Sequence, residues 1–442
     1  MERVAWLVML FSFAMLMGLC TISSIGIYYF LFESTVNVVP LVQVGRGTAV
    51  ITDAGFTERG VRNSSMLSSL PSNISTDSQS QATILLNDGD SEASLVAALT
   101  LHTNTTLAVR RAVTPRFSWS RSNQQITLGA LLGRVDVLVT SKRAGLSLDI
   151  ETQQGVQVQL LERGRYILDV SEGRVNVITR QGYARLHSIN KNTVSDIRDG
   201  QQGTLIVSHG EPVVKSARDN LIDNSLITFA IPEVERDTDT DIVALPSRWG
   251  CTISQDGPPR GSYSDDWRQG RRVLRLVRSQ DATASGEVRC VQAYAEPGQD
   301  VRGFNLMELD VTFIVDYQSL GRCGTKGSEC PLMLQIVYED VNGETKEWLQ
   351  GFYYNENAQF DYPSRCTTCL PGVPDHQSIN EKAWYTYRSG NLYNTLSTTL
   401  GEPAYIKSIA FYASGHQFDA SVSEFALTAG IGDAVVPAVI SE

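Results

Sequence analysis

Histidine, positive charge and mid-chain cysteine are all scarce here, and each shortage excludes something. There are five histidines, His102, His187, His209, His376 and His416. Each falls in a separate strand or loop, with no serine or aspartate in a recognisable nucleophile setting. No G-x-S-x-G, H-E-x-x-H or phosphate-cradling glycine loop occurs. A glycosidase would need two carboxylates ~5–9.5 Å apart across a cleft, which scattered acidic residues do not define. The expectation is a protein that is not an enzyme. Lys and Arg number 37 against 48 Asp and Glu, for a net charge of -11. Nucleic-acid binding needs clustered cations, so that class is excluded; Arg110-Arg111 and Arg271-Arg272 read as solvated strand ends. Cysteine is missing between Cys20 and Cys251.

Charge is absent altogether from Val4 to Phe32, 29 residues. As a helix they would extend roughly 43 Å, more than the ~30 Å hydrocarbon core of a bilayer. Trp6 near one end and Tyr28-Tyr29 near the other are placed as interfacial anchors. A secretory signal peptide is the competing account, but its apolar region runs only ~7–15 residues before a small-residue cleavage site. Residues 4–32 are therefore expected to be an uncleaved single-pass anchor in contact with membrane lipid. Arg3 precedes it and no Lys or Arg follows until Arg46, which points the short end into the cytoplasm and the rest outside.

Beyond the anchor the expected organisation is all-β, with domains at 36–215 and 220–432 and a tail at 433–442. Leu41–Val50 alternates, and Arg62–Gln81, rich in Ser and Asn, reads as a surface loop or partly disordered insert. From Gln81 to Val214, short alternating strands are punctuated by Gly, Asn or Asp every ~8–12 residues, which implies a β-roll or sandwich with one dry face and one wet face. Lys215–Ser225 is the expected boundary. Glu235–Asp241, ERDTDTD, lacks the turning glycine and terminal glutamate of a calcium loop and reads as an exposed loop. From Trp249 to Gly430 eight longer strands predict a jelly-roll sandwich.

Two resemblances sit on these residues. Thr152–Gly155, Gly164–Val170, Val175–Leu186 and Ile197–Val207 follow the turn-strand-hairpin order of FecR-type extracytoplasmic domains, and the likeness covers about 41–215. Regulators of that family carry a cytoplasmic domain that grips a sigma factor. Three residues precede the anchor here, so signalling would have to pass through a membrane partner. Over about 220–432 the chain resembles galactose-binding-like and carbohydrate-binding modules, through Asn220–Asn224 (NLIDN) and Ala404–Ala429.

Six cysteines lie beyond residue 250: Cys251, Cys290, Cys323, Cys330, Cys366 and Cys369. In an oxidising compartment they read as disulfides, with a Cys251–Cys290 bridge plausible from strand position. The alternative is structural zinc on Cys323, Cys330, Cys366 and Cys369, although C-x6-C is wide for a zinc pair. No other cofactor is expected. Aromatics concentrate in the distal half, and outward-facing ones would stack on sugar rings. Trp348 and Tyr385, with Arg388 and Asn391, are the candidate ligand residues; the competing account has Trp348 and Trp384 filling the sandwich. The function read from all this is extracytoplasmic binding of an envelope glycan or protein, with FecR-like signalling as the alternative.

Overall fold

The computed structural model describes residues 2–431 apart from 56, 68, 89–94, 118, 121, 142–145, 153, 189–191, 209, 226, 228–230, 232–247, 280, 357–361 and 370–373. His209, the acidic run Glu235–Asp241 and the tail 433–442 lie outside the described residues.

Glu2–Phe32 forms one helix, with every side chain from Trp6 to Phe30 exposed. A helix apolar on all sides needs an apolar surround. Its length and composition suffice to cross a membrane, a test that a signal sequence near the N-terminus also passes. The helix runs almost directly into the strand Thr35–Asn37, which pairs with Thr106–Pro115. Ser122 Oγ donates to Glu33 O (2.9 Å) and Arg116 N–H to Ser34 O (3.0 Å), so the exit from the helix is fastened to the first β unit.

That proximal unit has two layers closing on one another as a flattened barrel. They share the long strand Gln125–Val139, whose first half pairs with Thr106–Pro115 and whose second half pairs with Leu95–Leu101 and Gly164–Ser171. The switch between layers occurs at Ala130 (φ 52°) and Gly133 (φ 95°). At Gly133 a Cβ would lie 2.7 Å from Asn104 O, so only glycine fits there. Alternation along the strands buries one side, as in Ser147–Thr152 and Val156–Leu160, and forms a continuous aliphatic core. Arg62–Gln81 is not a loop throughout: Ser64–Met66 and Ser72–Thr76 are strands, with Ile74, Ser72 and Thr76 buried. Its small hydroxyl side chains fit a pleated surface closely enough to pair, despite a composition that suggests a turn.

The distal unit is a jelly-roll sandwich. One sheet runs Ser262–Arg268, Arg271–Arg278, Phe418–Gly430, Leu306–Gln318, Tyr385–Arg388. The other is built on Trp249–Gln255, Gly286–Ala293, Pro403–Gly415, Leu332–Asp340 and Thr345–Tyr353. Between them Trp249 packs on Phe411 and Phe425, and Phe313 on Phe352. Each such side chain contributes about 1.5–3 kcal/mol when fully buried. Asn220 Oδ1 accepts from the Leu427 amide (3.1 Å) and Trp249 Nε1 donates to Asp223 O (2.9 Å), so the NLIDN segment clasps the last strand to the core.

All six distal cysteines are bridged, Cys251–Cys290, Cys323–Cys330 and Cys366–Cys369. This removes the zinc alternative, since zinc needs thiolates and these sulfurs are bonded to each other. His376 lies beside Cys323 and Cys330. Its Nδ1 accepts from the Gly351 amide (3.0 Å), and Nε2 is then left to donate to Gly327 O (2.7 Å). The ring braces the disulfide loop.

The Cys251–Cys290 bridge closes the longest loop, with a separation of 39 residues against 7 and 3. On chain-entropy grounds it contributes about 4 kcal/mol and the shorter ones less. Cys251→Ser with Cys290→Ser should therefore lower the urea midpoint most, and a chelator should leave it unchanged. A chelator-sensitive midpoint would contradict the bridges.

Burial lowers the His376 pKa from its ordinary 6.5. Below pH 6.5 the unfolded chain binds a proton that the folded one resists, so stability falls as pH drops, by at most ~1.4 kcal/mol per pH unit. His376→Gln, which keeps one acceptor and one donor, should flatten the melting profile between pH 7.5 and 5.

Candidate functional site

Alternation in the distal sheet sends Leu309, Val311, Phe313 and Val315 inward. Glu308, Asp310 and Thr312 consequently point the other way. In an isolated sandwich that face would be wet, and the proximal sheet would present Arg134, Asp136, Arg165 and Arg180 to water in the same manner. Instead the two faces meet. Thr83 and Thr100 are buried, as are Asp310, Thr312 and Thr386.

The contact is a network of charge pairs crossing from one unit to the other. Arg165 pairs with Glu424. Arg180 donates to Asp310 Oδ2 (2.8 Å) and lies 3.6 Å from Glu424. Arg134 holds Asp136 (3.1 Å) and reaches within 3.9 Å of Asp310. From the distal side Arg388 pairs with Glu308 and lies 3.2 Å from Asp310. His102 Nε2 is 2.9 Å from Asp136, with the Gln81 amide on the other ring nitrogen (3.3 Å). Burial would raise the Asp136 pKa, but Arg134 and His102 outweigh it and hold the carboxyl far below the ordinary range. It stays ionised, which suits an ion-pair partner and not a general acid.

Uncharged contacts extend the seam. Gln81 donates to Thr386 O (2.8 Å) and accepts from Thr386 N–H (2.6 Å), a side-chain amide completing a β-type pairing between the units. Asn380 donates to Val44 O (2.8 Å) and Arg62 O (2.7 Å) through its side chain, and to Gly45 O (2.9 Å) through its backbone.

Two larger openings lie along the seam. A cavity of about 440 Å³ is lined by Arg134, Arg180, Gln202, Arg218, Glu308 and Asp310. A crevice of about 1120 Å³ shares Gln202 and Arg218 with it and adds Arg174, Asn176, Phe304, Asn391 and Asn394.

The residues expected to bind a ligand are placed differently from expectation. Trp348 is 2% exposed and stacked on Tyr387, and Tyr385 is 6% exposed with its hydroxyl on Gln377. Neither offers a ring face to a sugar, because both lie on the inward side of their strands. Arg388 is committed to Glu308 and Asp310. Asn391 lines the crevice, where it braces the rim by accepting from Met307 N–H (3.2 Å) and donating to Asn305 O (2.9 Å). Arg271 is buried over the Trp384 ring (4.8 Å), not solvated at a strand end. The exposed tryptophans among the described residues beyond the helix are Trp119 and Trp267. The seam residues have one local sign, charge on alternate positions of a strand, and a solvated face carries the same sign.

These features define an all-β protein with an N-terminal apolar helix and a charged crevice between two sheet-built units. No family model matches the chain, and no curated protein matches it. Among solved structures it is similar to a Parabacteroides distasonis protein assigned as an anti-sigma factor, at 14% identity, covering 39% of this chain and 80% of that one, with a TM-score of 0.25. It is also similar to the family 11 carbohydrate-binding module from Clostridium thermocellum, at 9% identity over 45% of this chain and 97% of that one, TM-score 0.23. The CBM22-1 xylan-binding domain from Paenibacillus barcinonensis is 11% identical over 50% of this chain and 99% of that one, TM-score 0.24. Scores this low carry no assignment.

Proposed function

We propose that this chain is a membrane-anchored, extracytoplasmic, non-catalytic binding protein, with an uncleaved helix, a FecR-like unit at 36–215 and a galactose-binding-like jelly roll at 220–432. Its ligand is a polar envelope glycan held in the crevice between the two units. The observation that carries this reading is the lining of that crevice. Asn176, Gln202, Asn391 and Asn394 bring amides, Arg174 and Arg218 bring cationic donors, and Phe304 brings an aromatic surface. Directional donors and acceptors beside one ring suit a sugar, whose hydroxyls need both and whose CH face needs apolar contact. Three disulfides fit an oxidising compartment.

The test is binding of the detergent-solubilised full chain to an array of bacterial envelope glycans. A hit should weaken at least tenfold in Asn394→Ala with Arg174→Ala, and persist in Trp348→Phe, which keeps the core filled. A hit indifferent to the crevice variants would overturn the crevice as its site.

One observation favours signalling as a second reading. Only Glu33 and Ser34 separate the helix from the first strand, and both are fastened to the proximal unit. A ligand that re-angles the units would turn the helix with them. Ligand-dependent crosslinking of Cys20 between copies of the chain tests this; a pattern unchanged by ligand counts against it.

A further inference from the structure

Between the crevice and the Gln81–Thr386 pairing lies a third, much smaller opening of about 30 Å³. It is lined by the guanidiniums of Arg165, Arg180 and Arg271 and the carboxylates of Asp136, Asp310 and Glu424, with threonines between them. We propose that it is a buried site for a single monatomic anion of chloride size, which balances Arg271.

The argument begins with charge. Around this opening the guanidiniums of Arg134, Arg165, Arg180 and Arg271 face the carboxylates of Asp136, Asp310 and Glu424. Each carboxylate is already engaged: Asp136 by Arg134 and His102, Asp310 by Arg134, Arg180 and Arg388, Glu424 by Arg165 and Arg180. Arg388 has Glu308 as its other partner. Of the guanidiniums around this opening, Arg271 is the one with no carboxylate in pairing distance among the described residues. It is 5% exposed, its Nε has no hydrogen-bond partner, and its one recorded contact of this kind is the Trp384 ring.

A buried, unpaired cation is costly. It can lose its proton or acquire a counter-ion. Burial, with repulsion from Arg165, outweighs the attraction of Glu424 and Asp136 and pulls the Arg271 pKa down to about 9, which still leaves it charged at neutral pH. A counter-ion is the remaining route.

Size and surroundings select the ion. A volume of about 30 Å³ leaves room for a small ion beside Arg271. The neighbouring carboxylates disfavour a second negative charge. Threonine hydroxyls, which rotate to donate, also line the opening.

The test uses the detergent-solubilised full chain melted in sodium chloride and in sodium gluconate at equal ionic strength. Gluconate is too large to enter. Melting should be ~2–4 °C higher in chloride, and Arg271→Met should abolish that difference. Equal melting of the unaltered chain in both salts would overturn the site, as would a chloride effect that survives Arg271→Met. Should the variant fail to fold, crystals of the unaltered chain grown in bromide decide the matter. An anomalous peak beside Arg271 supports the site, and a water-like density without anomalous signal overturns it.

Discussion

Asp310→Asn is expected to release the two units from each other at a cost of about 3–5 kcal/mol. Asp310 is the carboxylate on which Arg180, Arg134 and Arg388 converge, and its side chain is 7% exposed. Asparagine keeps the shape and removes the charge. Three guanidiniums would then remain in a dry seam with one counter-charge fewer. Losing one partner of a buried pair costs far more than the pair itself contributes, because the desolvated charge stays behind. The reading is urea unfolding of the full chain followed by tryptophan fluorescence. The unaltered protein, coupled through the seam, should show one transition, and the variant should show two as the units unfold independently. A shift below about 1 kcal/mol would mean that these pairs behave as surface ion pairs do.

Gly45→Val should pry the same seam open by sterics alone. A Cβ at Gly45 would lie 2.2 Å from Trp384 O and 3.3 Å from Tyr385 Cα. Both are backbone atoms, one just before and one in the strand Tyr385–Arg388, so no flexible side chain can retreat. Overpacking of this kind costs roughly 1–3 kcal/mol. The expected signature is faster amide exchange at Val44–Arg46 and Asn380–Thr386, with each core still protected. Gly173→Ala, whose Cβ would meet nothing within 4 Å, is the control and should exchange as the unaltered chain does. Unchanged protection in Gly45→Val would show that the units are not in contact there in solution.

Both expectations concern a surface that local sequence does not reveal. Strand alternation located the elements of Gln125–Val139 and Leu306–Gln318 and predicted which residues form their cores. It also predicted one dry and one wet face, and the second half of that was wrong where the units meet. Arg134-x-Asp136, inside the stretch given a wet face, lies in the seam; the pattern did not separate the two cases, because a strand carrying a buried ion network has the same alternation as one facing water. Trp348 and Tyr385 erred the other way. Aromatic density suggested a sugar platform, and which face each ring takes was settled by register against the neighbouring strands. His102 and Asp136, 34 residues apart, could not be paired from spacing.

What the sequence determined by itself is whatever depends on near neighbours along the chain. An uninterrupted apolar stretch must be a helix with an apolar surround, period-two alternation must be strands, and the clustering of six cysteines beyond residue 250 already favoured bridges over free thiols. What only the tertiary structure decided depends on residues far apart in sequence: the cysteine pairing, the meeting of two charged sheet faces, and the crevice left where they do not quite close. The physical reason is that burial of a strand's second face depends on what packs against it, and that partner here comes from another part of the chain.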